Sequence, residues 1–239
     1  MAPIGHVAAL EPRTLNQGPG VRFTVYLQGC RLRCPDCVCA ATDPCFCSRA
    51  VTVPTVIGQI RTFREFMTLS GGGVTVAGGE PLRQPGFVAQ LFRQCRDLGL
   101  STALNTQGIG NLFAARSLLR LTDLVVLDIT GACHDDASDA TMIDTGRFSR
   151  LLGDSPAALW LRYVVIPGIN DDDDAVAQRL AFAQSLDDVE RVEIRTVSDV
   201  REPQAGPLCP GGAPAPRQAD ATAVDRVRRR FRAAGLYAA

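Results

Sequence analysis

The sequence contains no lysine, so the basic side chains among its 239 residues are arginines and two histidines. Without a side-chain primary amine, the protein is excluded from chemistry that forms a Schiff base on lysine. No stretch reaches the roughly 20 apolar residues of a membrane-spanning helix, so we expect no membrane insertion. The 25 basic residues are balanced by 25 acidic ones, and this zero net charge predicts no general attraction to nucleic acid.

The first 14 residues, MAPIGHVAALEPRT, also lack the basic segment followed by a long apolar one that marks an export signal. We therefore expect a reducing, cytoplasmic location. In that compartment cysteines serve as metal ligands or reactive thiols more often than in disulfides. Six of the nine cysteines lie between Cys30 and Cys47, and this clustering is the first indication of function.

Strand-like segments alternate with segments of helical spacing along most of the chain. The predicted strands are Arg22–Gln28, Gly73–Ala77, Thr102–Asn105, Leu124–Ile129, Ala158–Ile166 and Val189–Ile194, and the predicted helices are Val53–Phe66, Gly86–Leu98, Leu112–Leu121, Ala175–Ser185 and Ala221–Ala234. This order predicts an α/β fold with six parallel strands, either an open sheet or an incomplete barrel. We expect a single domain over residues 1–239, with a mobile Pro- and Gly-rich loop at 203–216 and a closing helix within 219–239.

Four groups of polar or cysteine residues follow predicted strands. These are the cysteines from Cys30 onward, the turn Gly78-Gly79-Glu80, the pair Asn105-Thr106, and Asp128. Parallel α/β sheets place their chemistry at the carboxyl ends of the strands. We therefore expect these four groups to meet at one rim.

The first group has the spacing Cys-x-x-x-Cys-x-x-Cys, formed by Cys30, Cys34 and Cys37. Thiolates are soft ligands that suit iron–sulfur clusters or zinc. A structural zinc site normally has four protein ligands, and Cys39 or another thiol would have to supply the fourth. Three ligands on an iron–sulfur cubane leave one iron open for a chelating substrate. The spacing alone leaves both interpretations standing.

Four longer segments carry a resemblance to a known family. They are GPGVRFTVYLQGC (Gly18–Cys30), SGGGVTVAGGEPLRQPGFV (Ser70–Val88), TDLVVLDI (Thr122–Ile129) and LRYVVIPGINDDDD (Leu161–Asp174). In these segments the sequence resembles the radical S-adenosylmethionine (SAM) enzymes, specifically the pyruvate formate-lyase activating enzyme branch. The resemblance implies a partial (β/α)6 barrel and a [4Fe–4S] cluster on Cys30, Cys34 and Cys37. It also implies that the open iron binds SAM, which the cluster cleaves to a 5′-deoxyadenosyl radical that takes hydrogen from a substrate.

The resemblance also implies roles for individual residues. Gly78, Gly79 and Glu80 would bind the amino group of the SAM methionine, with the Glu80 carboxylate accepting from the ammonium. Other positions that match cofactor-binding positions are Asp36, Asn105, Thr106, Asp128, Thr130 and Ser198. Gln17 and Arg162 match positions that contact the substrate peptide.

Several of these positions differ from the family pattern. Gln17 and Asn105 stand where the family has aspartates, Thr130 replaces a lysine that would pair with the methionine carboxylate, and Ser198 replaces a histidine. Opposite charges are lost together, which indicates retuning, since loss of one partner alone would strand the other charge. Drift after loss of activity is the alternative. We expect the SAM carboxylate to be held by Arg162 or Arg195 instead.

Three further cysteines, Cys39, Cys45 and Cys47, follow directly after the cluster motif. They suit a second metal site with a fourth ligand such as Cys133 or Cys209, or a disulfide in an oxidised sample. The alternative is that they are small loop residues. Cys95 lies on the apolar face of a predicted helix and is assigned to the core.

Two functions fit these features. The first is an activase that abstracts hydrogen from a backbone glycine of a partner protein, which the overall resemblance and Arg162 favour. The second is radical modification of a small molecule or peptide in a biosynthetic pathway, which Gln17, Asn105, Thr130 and Ser198 favour. A non-catalytic iron–sulfur sensor is disfavoured by the Gly-Gly-Glu turn. Either enzyme requires a reductant of flavodoxin or ferredoxin type, and we expect a monomer.

Overall fold

The computed structural model describes residues 3–30, 49–131, 137–200, 219 and 221–239. The strands are β1 (Ile4–Thr14), β2 (Arg22–Leu27), β3 (Arg49–Thr52), β4 (Gly73–Gly78), β5 (Ser101–Thr106), β6 (Leu124–Asp128), β7 (Ala158–Val165) and β8 (Val189–Thr196). The helices are α1 (Val53–Thr62), α2 (Arg64–Leu69), a 3-10 turn (Pro81–Arg83), α3 (Pro85–Asp97), α4 (Leu112–Leu119), α5 (Ala137–Leu152), α6 (Asp173–Gln184), α7 (Val197–Val200) and α8 (Ala221–Ala233).

The strands form one open sheet in the order β3-β1-β2-β4-β5-β6-β7-β8. The six strands from β2 to β8 run parallel, each paired with its neighbour in this order. They are the six strands that the sequence predicts, so the predicted α/β fold of parallel strands is confirmed. Two antiparallel strands, β1 and β3, extend the sheet beyond β2 and were missed. The β1 sequence IGHVAALEPRT shows no clear alternation, and its Pro12 lies beyond the part of β1 that pairs with β3.

Side chains of the parallel strands alternate between two faces. One face packs under the helices, and its members Val76, Leu104 and Val125 belong to the main hydrophobic core. On the opposite face, Ala103, Leu124 and Val126 form a separate small cluster. The same alternation places Asn105, Asp128, Arg162 and Glu193 on this second surface, which we call the concave face. Its polar residues therefore share one surface near the carboxyl ends of the strands.

The helices differ from the prediction in three places. The segment Val53–Phe66 forms two helices, α1 and α2, because Phe63 leaves the helical conformation at φ −111° and ψ 5°. Helices α5 and α7 were missed. Helix α6 begins at Asp173, two residues before the predicted start, and the side chain of Asp172 caps it by accepting from the backbone N–H groups of Asp174 and Ala175.

The closing helix α8 is followed by a short segment that pairs with β8. Val192 donates to Tyr237, and Ala239 donates back to Val192, so residues 237–239 cover the exposed edge of the sheet. The predicted loop at 203–216 lies outside the described residues. Among the described helices, none combines the length and the apolar character that crossing a membrane would require.

Candidate functional site

The cluster motif begins where β2 ends. Cys30 is partly exposed and follows Gly29, which has a left-handed φ of 99°. The backbone N–H of Glu80 donates to the Gly29 carbonyl at 2.9 Å, and that of Gly79 donates to Leu27 at 2.7 Å. The first cysteine of the motif is thus placed directly beside the Gly-Gly-Glu turn. The other cysteines of this region lie outside the described residues, as do Asp36 and the two more distant candidates: Cys34, Cys37, Cys39, Cys45, Cys47, Cys133 and Cys209.

The glycines of the turn are required by the packing of β4 against β2. A Cβ atom on Gly78 would lie 2.5 Å from the backbone N and O atoms of Leu27, and one on Gly79 would lie 2.5 Å from the Gly29 carbonyl oxygen. Gly78 also has a φ of 104°, which side chains disfavour. The backbone that these two glycines approach is the segment leading to Cys30.

The carboxylate of Glu80 points into the protein, and the residue is only 3% exposed. It accepts from the backbone N–H of Leu82 at 2.9 Å, the hydroxyl of Thr106 at 2.6 Å and the backbone N–H of Gln107 at 3.0 Å. Thr106 in turn accepts from Gly108. Glu80 therefore joins the turn after β4 to the end of β5, and its described contacts are made within the protein.

Burial raises the pKa of Glu80 to about 7, while its hydrogen bonds to Thr106, Leu82, Gln107 and Ile109 act in the opposite direction. The ordinary value is 4.5. Between these values the folded state binds more protons than the unfolded chain. The free energy of unfolding is therefore expected to decrease as the pH rises through this window, by up to about 3 kcal/mol in total.

This expectation is tested with the variant Glu80→Gln, which cannot ionise. Urea unfolding of the reconstituted protein under anaerobic conditions, from about pH 5 to about pH 8, should show the decrease in the wild type and its absence in the variant. Parallel pH profiles for the two proteins would contradict the raised pKa of Glu80.

A residue that the sequence analysis missed, Gln84, ties the turn to the start of the cluster loop. Its side-chain oxygen accepts from the backbone N–H of His6 at 2.8 Å, and its side-chain nitrogen donates to the carbonyls of His6 and Gln28 at 3.1 and 2.9 Å. Gln84 thereby fixes β1 and the end of β2 to the Gly-Gly-Glu segment. The sequence shows only that Gln84 lies four residues after Glu80. It does not show the partners of Gln84, which are distant along the chain.

A connected polar network lies on the concave face. The side-chain oxygen of Gln17 accepts from Asn105 at 3.0 Å and from Arg162 at 3.2 Å. Arg162 also donates to Glu193 from Nε at 3.1 Å and from Nη2 at 3.0 Å, and to the Asn16 carbonyl at 2.8 Å. The loop that carries Asn16 and Gln17 is therefore anchored across this face. The structure brings together three predicted site residues, Gln17, Asn105 and Arg162.

Glu193 is the acidic centre of this network, and the sequence analysis did not single it out. Its side chain is 3% exposed and forms ion pairs with Arg162 and Arg195, each at 3.0 Å. Burial by itself would raise the pKa of Glu193, but the charges and hydrogen bonds of Arg162 and Arg195 bring it below the ordinary value. The alternation of side chains along β8 places Glu193 on the face opposite to that of the buried Val192 and Ile194. Its pairing with Arg162 depends on the register between β7 and β8.

The remaining predicted residues end β6 and β8. Asp128 accepts from the backbone N–H of Thr130 at 2.8 Å, and the Thr130 hydroxyl accepts from the backbone N–H of Val164 at 3.0 Å. Thr130 therefore stabilises the junction of β6 and β7. Ser198 lies in the exposed helix α7, where its hydroxyl contacts that of Thr196 at 2.8 Å. Neither Thr130 nor Ser198 offers a charge in place of the expected lysine and histidine.

The described residues fit both cofactors that the sequence predicts. A thiolate at Cys30 has the soft donor chemistry of an iron–sulfur ligand. The absence of a Cβ atom at Gly78 and Gly79 lets this turn approach the backbone of Leu27 and Gly29, directly before Cys30. The turn thereby places backbone carbonyl groups, which are acceptors for an ammonium group, next to the first cysteine of the motif.

Comparisons with known proteins agree with this site. Residues 16–143 match the family model described as a 4Fe-4S single cluster domain. The pyruvate formate-lyase 1-activating enzyme of Escherichia coli (strain K12) is 35% identical over 199 residues, which cover 81% of each chain. The pyruvate formate-lyase-activating enzyme of Staphylococcus aureus (strain USA300) is 37% identical over 207 residues, which cover 80% of each chain.

Among solved structures, a radical SAM methyltransferase from Sphaerobacter thermophilus superposes with a TM-score of 0.62. The sequence identity is 17%, and the match covers 91% of this chain and 65% of that one, so this likeness concerns the fold. The family model confirms the predicted [4Fe–4S] cluster.

Proposed function

This chain belongs to the family of the pyruvate formate-lyase activating enzymes, and we propose that it activates a glycyl radical enzyme by removing a hydrogen atom from a backbone glycine of that partner. The observation that carries the proposal is identity above one third with two activating enzymes over about four fifths of each chain. The resemblance drawn from the sequence motifs is thereby confirmed. The chain is a radical SAM enzyme with a [4Fe–4S] cluster.

When bound, the cluster and S-adenosylmethionine would supply the radical chemistry that removes the hydrogen atom. The protein contributes position and exclusion. Glu80 holds the turn after β4 against the end of β5, which presents the Gly78–Gly79 backbone at the rim beside Cys30. Gln84 fixes the segment directly before Cys30, because its side-chain nitrogen donates to the Gln28 carbonyl. We propose that Cys30, Cys34 and Cys37 ligate the cluster and that the Gly-Gly-Glu backbone binds the SAM ammonium.

The loop that carries Asn16 and Gln17 is held against the concave face by hydrogen bonds from Asn105 and Arg162. We call Gln17 and Arg162 the wall of the site. They are 3% and 2% exposed, so they present little surface of their own. We propose that a substrate segment packs against this wall on its open side. Asp128 and Thr106 stand at the same rim and are assigned to the cofactor side of the site.

The experiment is an anaerobic reaction of the reconstituted protein with reductant, S-adenosylmethionine and purified glycyl radical enzymes, including a pyruvate formate-lyase. Activation predicts 5′-deoxyadenosine in the product mixture and a glycyl radical signal in the partner by electron paramagnetic resonance. Formation of methylthioadenosine would show that a different sulfonium bond breaks. The radical SAM assignment fails if neither nucleoside forms.

A second candidate, modification of a small molecule or a peptide, is favoured by one feature of the network. Gln17 and Asn105 bind each other where the family has two carboxylates, so the substrate wall lacks those negative charges. This candidate predicts 5′-deoxyadenosine formation that no glycyl radical enzyme stimulates. A glycyl radical in any tested partner decides for activation.

We further propose a single radical SAM domain that works as a monomer in the cytoplasm with a flavodoxin- or ferredoxin-type reductant. The clustered cysteines support a reducing compartment, because a cluster assembled on thiolates requires them reduced. Gel filtration of the reconstituted protein and reduction by purified flavodoxin test the oligomeric state and the electron donor.

A further inference from the structure

Arg22, at the start of β2, is a fully buried arginine whose hydrogen bonds go to neutral groups. Its Nε donates to the hydroxyl of Thr75 at 3.0 Å, and its Nη2 donates to the Val74 carbonyl at 2.7 Å. Its two Nη groups also donate to the hydroxyl and the carbonyl of Ser101, at 3.2 and 3.4 Å. Burial lowers the pKa of Arg22 to about 10, against the charge of Asp123, so the guanidinium stays charged at neutral pH. A buried charge must be hydrogen-bonded, and these bonds hold Arg22 between β2, β4 and β5.

The hydroxyl of Thr75 extends this contact to the loop that carries Asn16 and Gln17. A guanidinium only donates hydrogen bonds, so Thr75 accepts from Arg22 and keeps its single hydroxyl proton for another acceptor. That acceptor is the backbone carbonyl of Gln17, at 2.7 Å. Thr75 is fully buried and pairs in register with Ala103 of the concave face. Arg22, Thr75 and Gln17 therefore form a directed series of hydrogen bonds on this face that begins at a charge.

Gln17 is consequently held both at its main chain and at its side chain. Its side-chain oxygen accepts from Asn105 on β5 and from Arg162 on β7, while its backbone carbonyl accepts from β4. A Cβ atom on the next residue, Gly18, would lie 3.6 Å from Nε of Arg22, so the loop backbone lies directly over the guanidinium. The position of the loop is therefore set from three strands.

We propose that Arg22 and Thr75 are positioning residues for the wall formed by Gln17 and Arg162. They fix the main chain of Gln17 at one distance from the sheet, so that a substrate segment on the open side meets the wall at one defined position. Hydrogen-atom transfer depends on such definition, because a displacement of about 1 Å can slow a positioned reaction about 100-fold. The assignment rests on the proposed function in that the wall contacts the substrate.

The first test uses the variant Thr75→Val, which keeps the shape of the side chain but removes the hydroxyl that bonds to Gln17. Hydrogen exchange of the anaerobic, reconstituted holoenzyme is followed by mass spectrometry in the segment 16–21. The N–H of Val21, at the end of this segment, donates to the Ser70 hydroxyl at 2.9 Å, so its exchange reports opening of the loop. Exchange should become about 10-fold faster, roughly the effect of one lost hydrogen bond, and Thr75→Ser should restore the wild-type rate.

Thr24→Val is the matched control. Thr24 is fully buried, and it lies beside Thr75 on the neighbouring strand, in register with it. Its hydroxyl bonds to that of Thr14 at 2.6 Å rather than to the backbone of the loop, and Thr14 also donates to the Arg22 carbonyl at 3.1 Å. This variant loses a buried hydroxyl of the same kind, so its exchange in the segment 16–21 should match that of the wild type.

The second test measures coupling, as the amount of 5′-deoxyadenosine formed for each glycyl radical in the activated partner. Thr75→Val should raise this ratio about 10-fold, because a substrate against a displaced wall reacts less often. Thr75→Ser should restore the ratio, and Thr24→Val should leave it at the wild-type value. A loss of stability alone would lower both products together and would leave the ratio unchanged.

A variant of the arginine tests its part in the series. Arg22→Lys keeps the charge but lacks the planar fork that reaches Thr75 and Val74 together, so its ratio should rise as well. Adding Thr75→Val to it should change the ratio by less than about twofold, because both changes break the same series. Full additivity of the two changes would remove Arg22 from the series.

Faster exchange with an unchanged ratio in Thr75→Val overturns the positioning role. Equal effects of Thr75→Val and Thr24→Val also overturn it, because any buried hydroxyl would then serve as well. If the wild type forms 5′-deoxyadenosine but no glycyl radical in any partner, the activase function fails. The exchange data alone then decide whether Arg22 and Thr75 hold the loop.

Discussion

Replacement of Cys30 by serine is expected to abolish the [4Fe–4S] cluster and with it all cleavage of S-adenosylmethionine. The proposed ligands are the three thiolates of Cys30, Cys34 and Cys37, and a site with three protein ligands has none to spare. Cys30 is also the cysteine that the turn after β4 holds in place through Gly29. Iron and sulfide content, visible absorption and electron paramagnetic resonance of anaerobically reconstituted protein should all fall to background, and no 5′-deoxyadenosine should form.

Cys95 provides the matched control for this experiment. Its thiol is buried in α3, where burial raises its pKa to about 12, so it remains a neutral core group. The variant Cys95→Ala should retain the full iron content and the spectrum of the wild type. A Cys30→Ser protein with the iron content of the Cys95→Ala protein would remove Cys30 from the ligand set.

The second large effect is expected at Arg162. The side chain of Glu193 is 3% exposed. The variant Arg162→Met removes its main partner and leaves Arg195 as the remaining ion-pair partner. Loss of one partner from a buried ion pair typically costs about 3–5 kcal/mol. The free energy of unfolding should fall by about this amount in anaerobic urea unfolding, followed through the fluorescence of Trp160, the single tryptophan.

Two comparisons separate this effect from a general loss of arginine. Arg96 pairs with Asp123 with both side chains 45% exposed, so Arg96→Met should cost no more than about 1 kcal/mol. The double variant Arg162→Met with Glu193→Leu removes both charges and should be more stable than Arg162→Met alone. A single Arg162 variant as stable as the Arg96 variant would show that the buried pair contributes little.

Much of the site could be predicted because its residues are close in sequence or have a fixed place on a strand. Gly78, Gly79 and Glu80 follow a buried strand directly, and Asn105, Thr106 and Asp128 end the next two. Parallel strands bring their carboxyl ends to one edge, so the shared rim followed from the order of strands and helices. The details of contact did not follow. The role of Glu80 toward a ligand ammonium stays a prediction, and the sequence did not indicate that its carboxylate also accepts from the end of β5.

The residues that were missed, Gln84 and Glu193, have partners that are distant in sequence. Gln84 bonds to His6, 78 residues away, and Glu193 accepts from Arg162, 31 residues away. Short-range periodicity contains no record of such partners. The strand β1 was missed for a related reason, since a strand with weak alternation is stabilised by the neighbours it pairs with.

The sequence by itself determined the donor chemistry of the cluster motif, the α/β order of the six parallel strands, and the absence of any lysine to serve the cofactor. These properties reside in residue types, local spacing and strand periodicity. Only the tertiary structure decided how the polar residues of the concave face pair with one another. The register of β7 against β8 pairs Arg162 with Glu193, and the loop at Gln17 occupies the rest of that guanidinium. The pairing of Arg162 therefore depends on contacts between distant segments, which form only when the sheet is assembled.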